Sequence, residues 1–128
     1  MNLLLDTCAL LCLAEGTLPK AAHRSLAGAE DAILPAIVVW EIAIKVKTGK
    51  LRIPDAPLRW VEALAARYEL RLERLAPDVS LLCAAADLPL IHRDPFDRVL
   101  VATALERKLT LLTSDRIIPT YPGVSTIW

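Results

Sequence analysis

Residues 2–7 read Asn2-Leu3-Leu4-Leu5-Asp6-Thr7, and their reading decides the fold. The uninterrupted leucine run is a short apolar strand of the kind that parallel sheets use, and it ends on a carboxylate. A second run, Leu109-Thr110-Leu111-Leu112-Thr113, is followed in the same way by Asp115. Between the two, apolar strands alternate with helical patterns. The chain reads as strand 2–6, helix 7–14, a break at Gly16, helix 19–28, a strand near 31–35 and helix 36–48 up to Gly49. Helix 57–67, an extended stretch near 70–75, helix 78–87, helix 95–107, strand 109–113 and a strand near 123–127 follow. This order predicts an α/β domain with a mainly parallel sheet, spanning 1–128 as one domain. Ligands of such sheets bind beyond the carboxyl ends of the strands, where Asp6 and Asp115 would both stand.

Two further acids join them. Helix 36–48 is apolar over most of its circumference, through Ile37, Val38, Val39, Trp40, Ile42, Ala43, Ile44 and Val46. Glu41, Lys45 and Thr48 make its one narrow polar stripe. A solvent stripe with a Glu–Lys pair would contribute about 0.2–0.5 kcal/mol. A helix this apolar is expected to be mostly enclosed, so the stripe is read as facing water in a cleft. Asp97 lies in Asp94-Pro95-Phe96-Asp97-Arg98, where Asp94 caps the helix and Pro95 occupies its first position. Asp97 shares a side with Leu100, Val101 and Ala104, whereas Arg98, Thr103, Glu106 and Arg107 are placed elsewhere. An inward carboxylate needs a partner, and a metal ion is one. Asp6 is equally natural as an N-cap and as an outward strand-end carboxylate. His92 is read as a loop residue rather than a ligand. Oxygen-only clusters suit Mg²⁺ or Mn²⁺, which commonly meet phosphate substrates, so the four acids together predict a metal-dependent nuclease.

Composition bounds this reading. The formal net charge is +0, so a broad basic surface for nucleic acid is excluded and any such contact must be local or metal-borne. Lys45, Lys47, Lys50 and Arg52 are one local candidate; a solvated helix end explains them equally well. The apolar fraction of 55% exceeds the usual ~45–50%, which predicts a hydrophobic dimer or partner interface. Cys8, Cys12 and Cys83 sit among apolar residues and are expected to be reduced, buried thiols of a cytoplasmic protein. Asp6 and Glu15 interrupt the apolar N-terminus, so neither a signal peptide nor a membrane span is expected.

The ordered set of motifs resembles the PIN-domain ribonucleases, and among them the VapC-like toxins of bacterial toxin–antitoxin pairs. The resemblance runs through Leu5-Asp6-Thr7, Trp40-Glu41-Ile42-Ala43-Ile44-Lys45, Gly49-Lys50-Leu51, Leu88-Pro89, His92-Arg93-Asp94-Pro95-Phe96-Asp97-Arg98, Ala102, Ala104, Thr113-Ser114-Asp115 and Ile127-Trp128. It implies a three-layer α/β/α sandwich that binds Mg²⁺, with Mn²⁺ as substitute, and hydrolyses RNA phosphodiester bonds. Asp6, Glu41 and Asp97 correspond to its core acids and Asp115 to the fourth. Thr7, Lys45, Asp94 and Thr113 are implied as supporting or substrate-contacting residues. An antitoxin partner and a homodimer are also implied. Where relatives often carry Ser before the glutamate, this chain has Pro35, which predicts altered local hydrogen bonding. A catalytically inactive PIN-like binding protein is the alternative. A HAD-type phosphotransferase would need an acid where Cys8 stands, and a receiver module would need a Lys after Lys108.

Overall fold

The computed structural model describes residues 1–128. Five strands, β1 (Asn2–Leu5), β2 (Asp31–Leu34), β3 (Arg71–Leu72), β4 (Thr110–Leu112) and β5 (Ser125–Ile127), form one sheet. Their order is β3-β2-β1-β4-β5, and every neighbouring pair is parallel. Leu3, Leu4 and Leu5 are fully buried, which requires that both faces of the central strand be covered. The architecture is therefore an α/β sandwich. Leu3 registers with Ala32 on one side and Thr110 on the other, locking β1 between its neighbours.

Six helices surround the sheet: α1 (Thr7–Glu15), α2 (Lys20–Ala27), α3 (Ala36–Lys47), α4 (Pro57–Arg67), α5 (Val79–Asp87) and α6 (Pro95–Arg107). A short 3₁₀ turn, Ile118–Thr120, which the sequence pattern did not signal, precedes β5. The extended stretch expected near 70–75 contracts to two paired residues, and Arg71 anchors this edge through Asp31 at 2.6 Å. Helix α3 stops before Gly49, whose φ of +77° takes the left-handed turn open to glycine. At its other end, Pro35 supplies no side-chain cap, as the departure from the usual Ser predicted.

The chain runs from β1 to β2 on one side and returns later to β4 on the other. The sheet thus has its topological switch between β1 and β4, where parallel α/β proteins place their ligand crevice. The amide of Asp6 donates to the Leu112 carbonyl at 3.3 Å, so the pairing extends to the first residue past each strand.

Three expectations need correcting. Helix α3 is not mostly enclosed: only Ile37, Val38 and Ile42 are buried, while Trp40 is 59% exposed and Ile44 is also exposed. Local periodicity cannot show which apolar face lacks a neighbour. Helix α6 is buried from Arg98 through Ala104, so Arg98 and Thr103 belong inside rather than elsewhere. Arg98 is soluble in this core because its guanidinium meets backbone carbonyls, and Thr103 because its hydroxyl donates to Val99 O at 2.7 Å. Finally, Cys8 and Cys83 are exposed and Cys12 is half-buried. Part of the apolar surplus lies on the surface of the single chain, at Trp40, Leu75, Val79 and Leu90.

Candidate metal centre

Four carboxylates converge at the carboxyl end of the sheet. Asp6 follows β1, Asp115 follows β4, Glu41 comes from the second turn of α3, and Asp97 comes from the first turn of α6. All four line one open cleft of about 310 Å³, together with Thr7 and Lys45. Asp94 also reaches this cleft, but its own carboxylate caps α6 by accepting from the Phe96 amide at 2.9 Å. Both readings of Asp6 hold at once. Its Oδ1 accepts from the Ala9 amide at 2.7 Å, capping α1, while the residue sits 4% exposed at the base of the cluster.

Asp6, Glu41 and Asp115 are held by specific donors. The Thr7 hydroxyl donates to Glu41 Oε1 at 3.0 Å, and Lys45 Nζ stands 3.6 Å from Glu41 Oε2. The Thr113 hydroxyl accepts from the Asp115 amide at 3.0 Å. Asp115 Oδ1 accepts from the amides of Ile117 and Ile118 at 2.7 and 3.2 Å. Its Oδ2 lies 2.9 Å from His92 Nε2, which is also 3.2 Å from Asp97 Oδ2. His92 stands in a loop, as its place in the sequence suggests, and its ring reaches the cluster. It is 23 residues from Asp115, and only the folded chain joins them.

The electrostatics reveal uncompensated charge. Burial pushes Asp6 up from 3.8 to about 6; the Asp115 and Glu41 charges add to this, against hydrogen bonds from Thr113 and Ala9. Burial pushes Asp97 to about 7, with the charges of Asp94, Asp115 and Asp6 adding and His92 opposing. Burial would also raise Asp115, but the bonds from His92, Ile117 and Ile118 outweigh it and hold this carboxyl below its ordinary range. Burial would lower His92, yet its bond to Asp115 and the Asp97 and Asp115 charges leave it raised. Burial also raises the Cys8 thiol beside Ser114, which keeps it protonated and a poor nucleophile.

Crowded, partly protonated carboxylates with an all-oxygen donor set fit a hard divalent cation, whose charge would hold all of them ionised. A larger cleft of about 400 Å³ beside β3 lacks this character. Its acid, Glu73, is already paired with Arg71 and Arg107.

The profile of the PIN domain matches residues 3–124, nearly the whole chain. The chain belongs to the PIN domain family. Its sequence is 29% identical over 113 residues to ribonuclease VapC22 of Mycobacterium tuberculosis, covering 87% of this chain and 85% of that protein. The PIN fold also aligns with solved structures. DNA-bound VapBC from Salmonella typhimurium matches with a TM-score of 0.69 at 19% identity, over 99% of this chain and 97% of that one. FitAcB from Neisseria gonorrhoeae matches with a TM-score of 0.63 at 20% identity, over 98% and 96%. At such identities the solved structures speak for the fold alone. No helix of this PIN protein is long and apolar enough to cross a membrane.

Proposed function

We propose that this PIN-domain protein is an endoribonuclease dependent on Mg²⁺ or Mn²⁺, and the toxin of a toxin–antitoxin pair. The carrying observation is that Asp6, Glu41, Asp97 and Asp115 share one cleft at the switch point of the sheet. Membership of the PIN family and similarity to a VapC ribonuclease support the choice of RNA as substrate.

Asp6, Glu41, Asp97 and Asp115 would hold the cation, directly or through water. Bound there, a divalent ion supplies positive charge against the phosphodiester and makes water a competent nucleophile at neutral pH. The protein's own groups set the geometry. Thr7 restrains Glu41, Thr113 accepts from the Asp115 amide, and the Ile117 and Ile118 amides fix Asp115. Water attacks phosphorus, the bond from phosphorus to the leaving oxygen breaks, and that oxygen takes up a proton. No covalent enzyme intermediate is needed.

The substrate strand is guided locally rather than by a broad basic face. A second cleft of about 260 Å³ contains Glu41, Lys45 and Asp94, which also line the first, and continues to Thr48 and Lys50. Lys45 neutralises Glu41 and, with 38% of its side chain exposed, can also meet a phosphate at the lip. The exposed apolar side chains suit an antitoxin and a second copy of the chain. The cytoplasm, where RNA and an antitoxin would be met, is the proposed compartment.

Purified protein freed of any antitoxin, incubated with total RNA, should give discrete fragments only when Mg²⁺ or Mn²⁺ is present. Asp97→Asn should abolish them. Fragments that persist without divalent ion, or in Asp97→Asn, would overturn the reading. Tight RNA binding with no cleavage would favour the inactive binding protein instead.

A further inference from the structure

We propose that His92 is a positioning residue of the acidic cleft, donating its Nε2–H to Asp115, and that it does not ligate the divalent ion. As a cluster the site invites the opposite assignment, because donor atoms of His92, Asp97 and Asp115 all lie within 4.8 Å of one another. A mixed nitrogen–oxygen triad of that size is a plausible cation site on distance alone. The other ring nitrogen decides against it.

His92 Nδ1 is 3.1 Å from the backbone nitrogen of Asp94. A backbone amide can only donate, so the Nδ1 lone pair is occupied and a neutral ring carries its proton on Nε2. Ligation through Nε2 needs that nitrogen bare, which would move the proton to Nδ1 and set it against the Asp94 amide. Histidines that ligate metals have the reverse wiring: the second nitrogen donates to a carboxylate, a carbonyl or water. The Asp94 amide cannot turn away freely, since Asp94 is the N-cap of α6. Nε2–H is therefore aimed at Asp115 Oδ2 at 2.9 Å, and Asp97 Oδ2 stands 3.2 Å from the same nitrogen without a hydrogen bond to it.

The consequence falls on Asp115. Its Oδ1 is held by the Ile117 and Ile118 amides, so the bond at Oδ2 fixes the carboxylate at both ends. The ring's own position is built from buried parts. The His92 amide donates to the Tyr121 hydroxyl at 2.8 Å. Arg98 donates to the carbonyls of Leu88, Pro89 and His92 at 2.8, 2.9 and 3.3 Å, stapling the loop that carries the ring to α6. Asp115 is thus oriented from the first turns of α6 as well as from its own strand end.

This role in the reaction rests on the nuclease reading; the ring's tautomer does not. Imidazole nitrogen NMR of the wild-type protein tests the tautomer, with His23 in α2 as internal reference. The expected result, at a pH where the ring is neutral, is a protonated Nε2 and a bare Nδ1 in metal-free protein, unchanged when Mg²⁺ is added. Pulsed EPR of Mn²⁺-loaded protein should show no histidine nitrogen coupled to the ion. A proton found on Nδ1, or a nitrogen coupling that His92→Gln removes, would overturn the proposal. His92→Ala should weaken Mn²⁺ binding about 10- to 100-fold, the range for lost partners of ligands, and His92→Gln, which keeps a donor at similar reach, should recover most of it. Equal losses in the two variants would also overturn it. Wild-type protein that takes up no divalent ion would sink the nuclease reading, and the tautomer of metal-free protein would then decide this proposal alone.

Discussion

The hydroxyl of Thr7 donates to Glu41 Oε1 across 34 residues of sequence and 3.0 Å of space. Thr7 opens the helix after β1, and Glu41 sits in the helix after β2, so one hydrogen bond ties the two crossovers together at the cleft. Lys45 holds the other Glu41 oxygen at 3.6 Å. Thr7→Val should lower stability by about 1 kcal/mol, the net worth of one such bond, and weaken divalent-ion binding by about tenfold or more. Thr7→Ser should restore both. Urea unfolding and calorimetric titration with Mn²⁺ measure the two effects, and a Thr7→Ser variant as impaired as Thr7→Val would show that the methyl group matters instead.

The buried acids should trade stability for function. Asp97 is pushed to about 7 by burial and by neighbouring carboxylates, so its charge opposes folding at neutral pH. Asp97→Asn should raise the melting temperature of metal-free protein at pH 8 while removing both RNA cleavage and most of the stabilisation that Mn²⁺ gives to the wild type. A metal-free variant that melts below wild type would contradict the charge argument.

The same shifts set a pH dependence with a definite sign. Asp6 and Asp97 have folded values of about 6 and about 7 against an unfolded value near 3.8. Ionisation is therefore disfavoured in the folded state. Their contribution to stability is greatest below pH 4, falls as pH rises through 6 and 7, and levels off above. Asp115, held below its ordinary range, acts in the opposite sense at lower pH. Melting temperature in a chelator should decline between pH 5 and pH 8, and the increment added by Mn²⁺ should grow over the same interval, because cation and protons compete for the same oxygens. A flat increment across that interval would disprove the competition.

Arg98 carries a separate prediction. It is a buried guanidinium that meets the carbonyls of Ala86, Leu88, Pro89 and His92 and the Tyr121 hydroxyl. Arg98→Met would leave several carbonyls without donors at about 1–3 kcal/mol each for any that stay buried, and Arg98→Lys has too few planar donors to reach them all. Both variants should lose several kcal/mol in urea unfolding. A loss below about 1 kcal/mol would mean that water replaces the guanidinium at little cost.

Much of this protein is written locally. The leucine run of β1 needs only its own residues to read as a parallel strand, and Asp94-Pro95 marks the start of α6 because capping acts over three or four positions. The acids after β1 and β4 point to the site because strand ends in such sheets face the crevice. The tertiary structure alone decided the rest. Arg98 reads as lying off the inward side of α6 until the carbonyls of Ala86, Leu88, Pro89 and His92 surround it, Trp40 reads as core but meets the Phe96 ring and stays 59% exposed, and His92 reads as an unpartnered loop residue until Asp115 closes on it from 23 positions away. Patterns of period two or 3.6 report what one segment presents. Which side chains are paired, and which are left to water, depends on segments far apart in the chain, and only the fold brings those together.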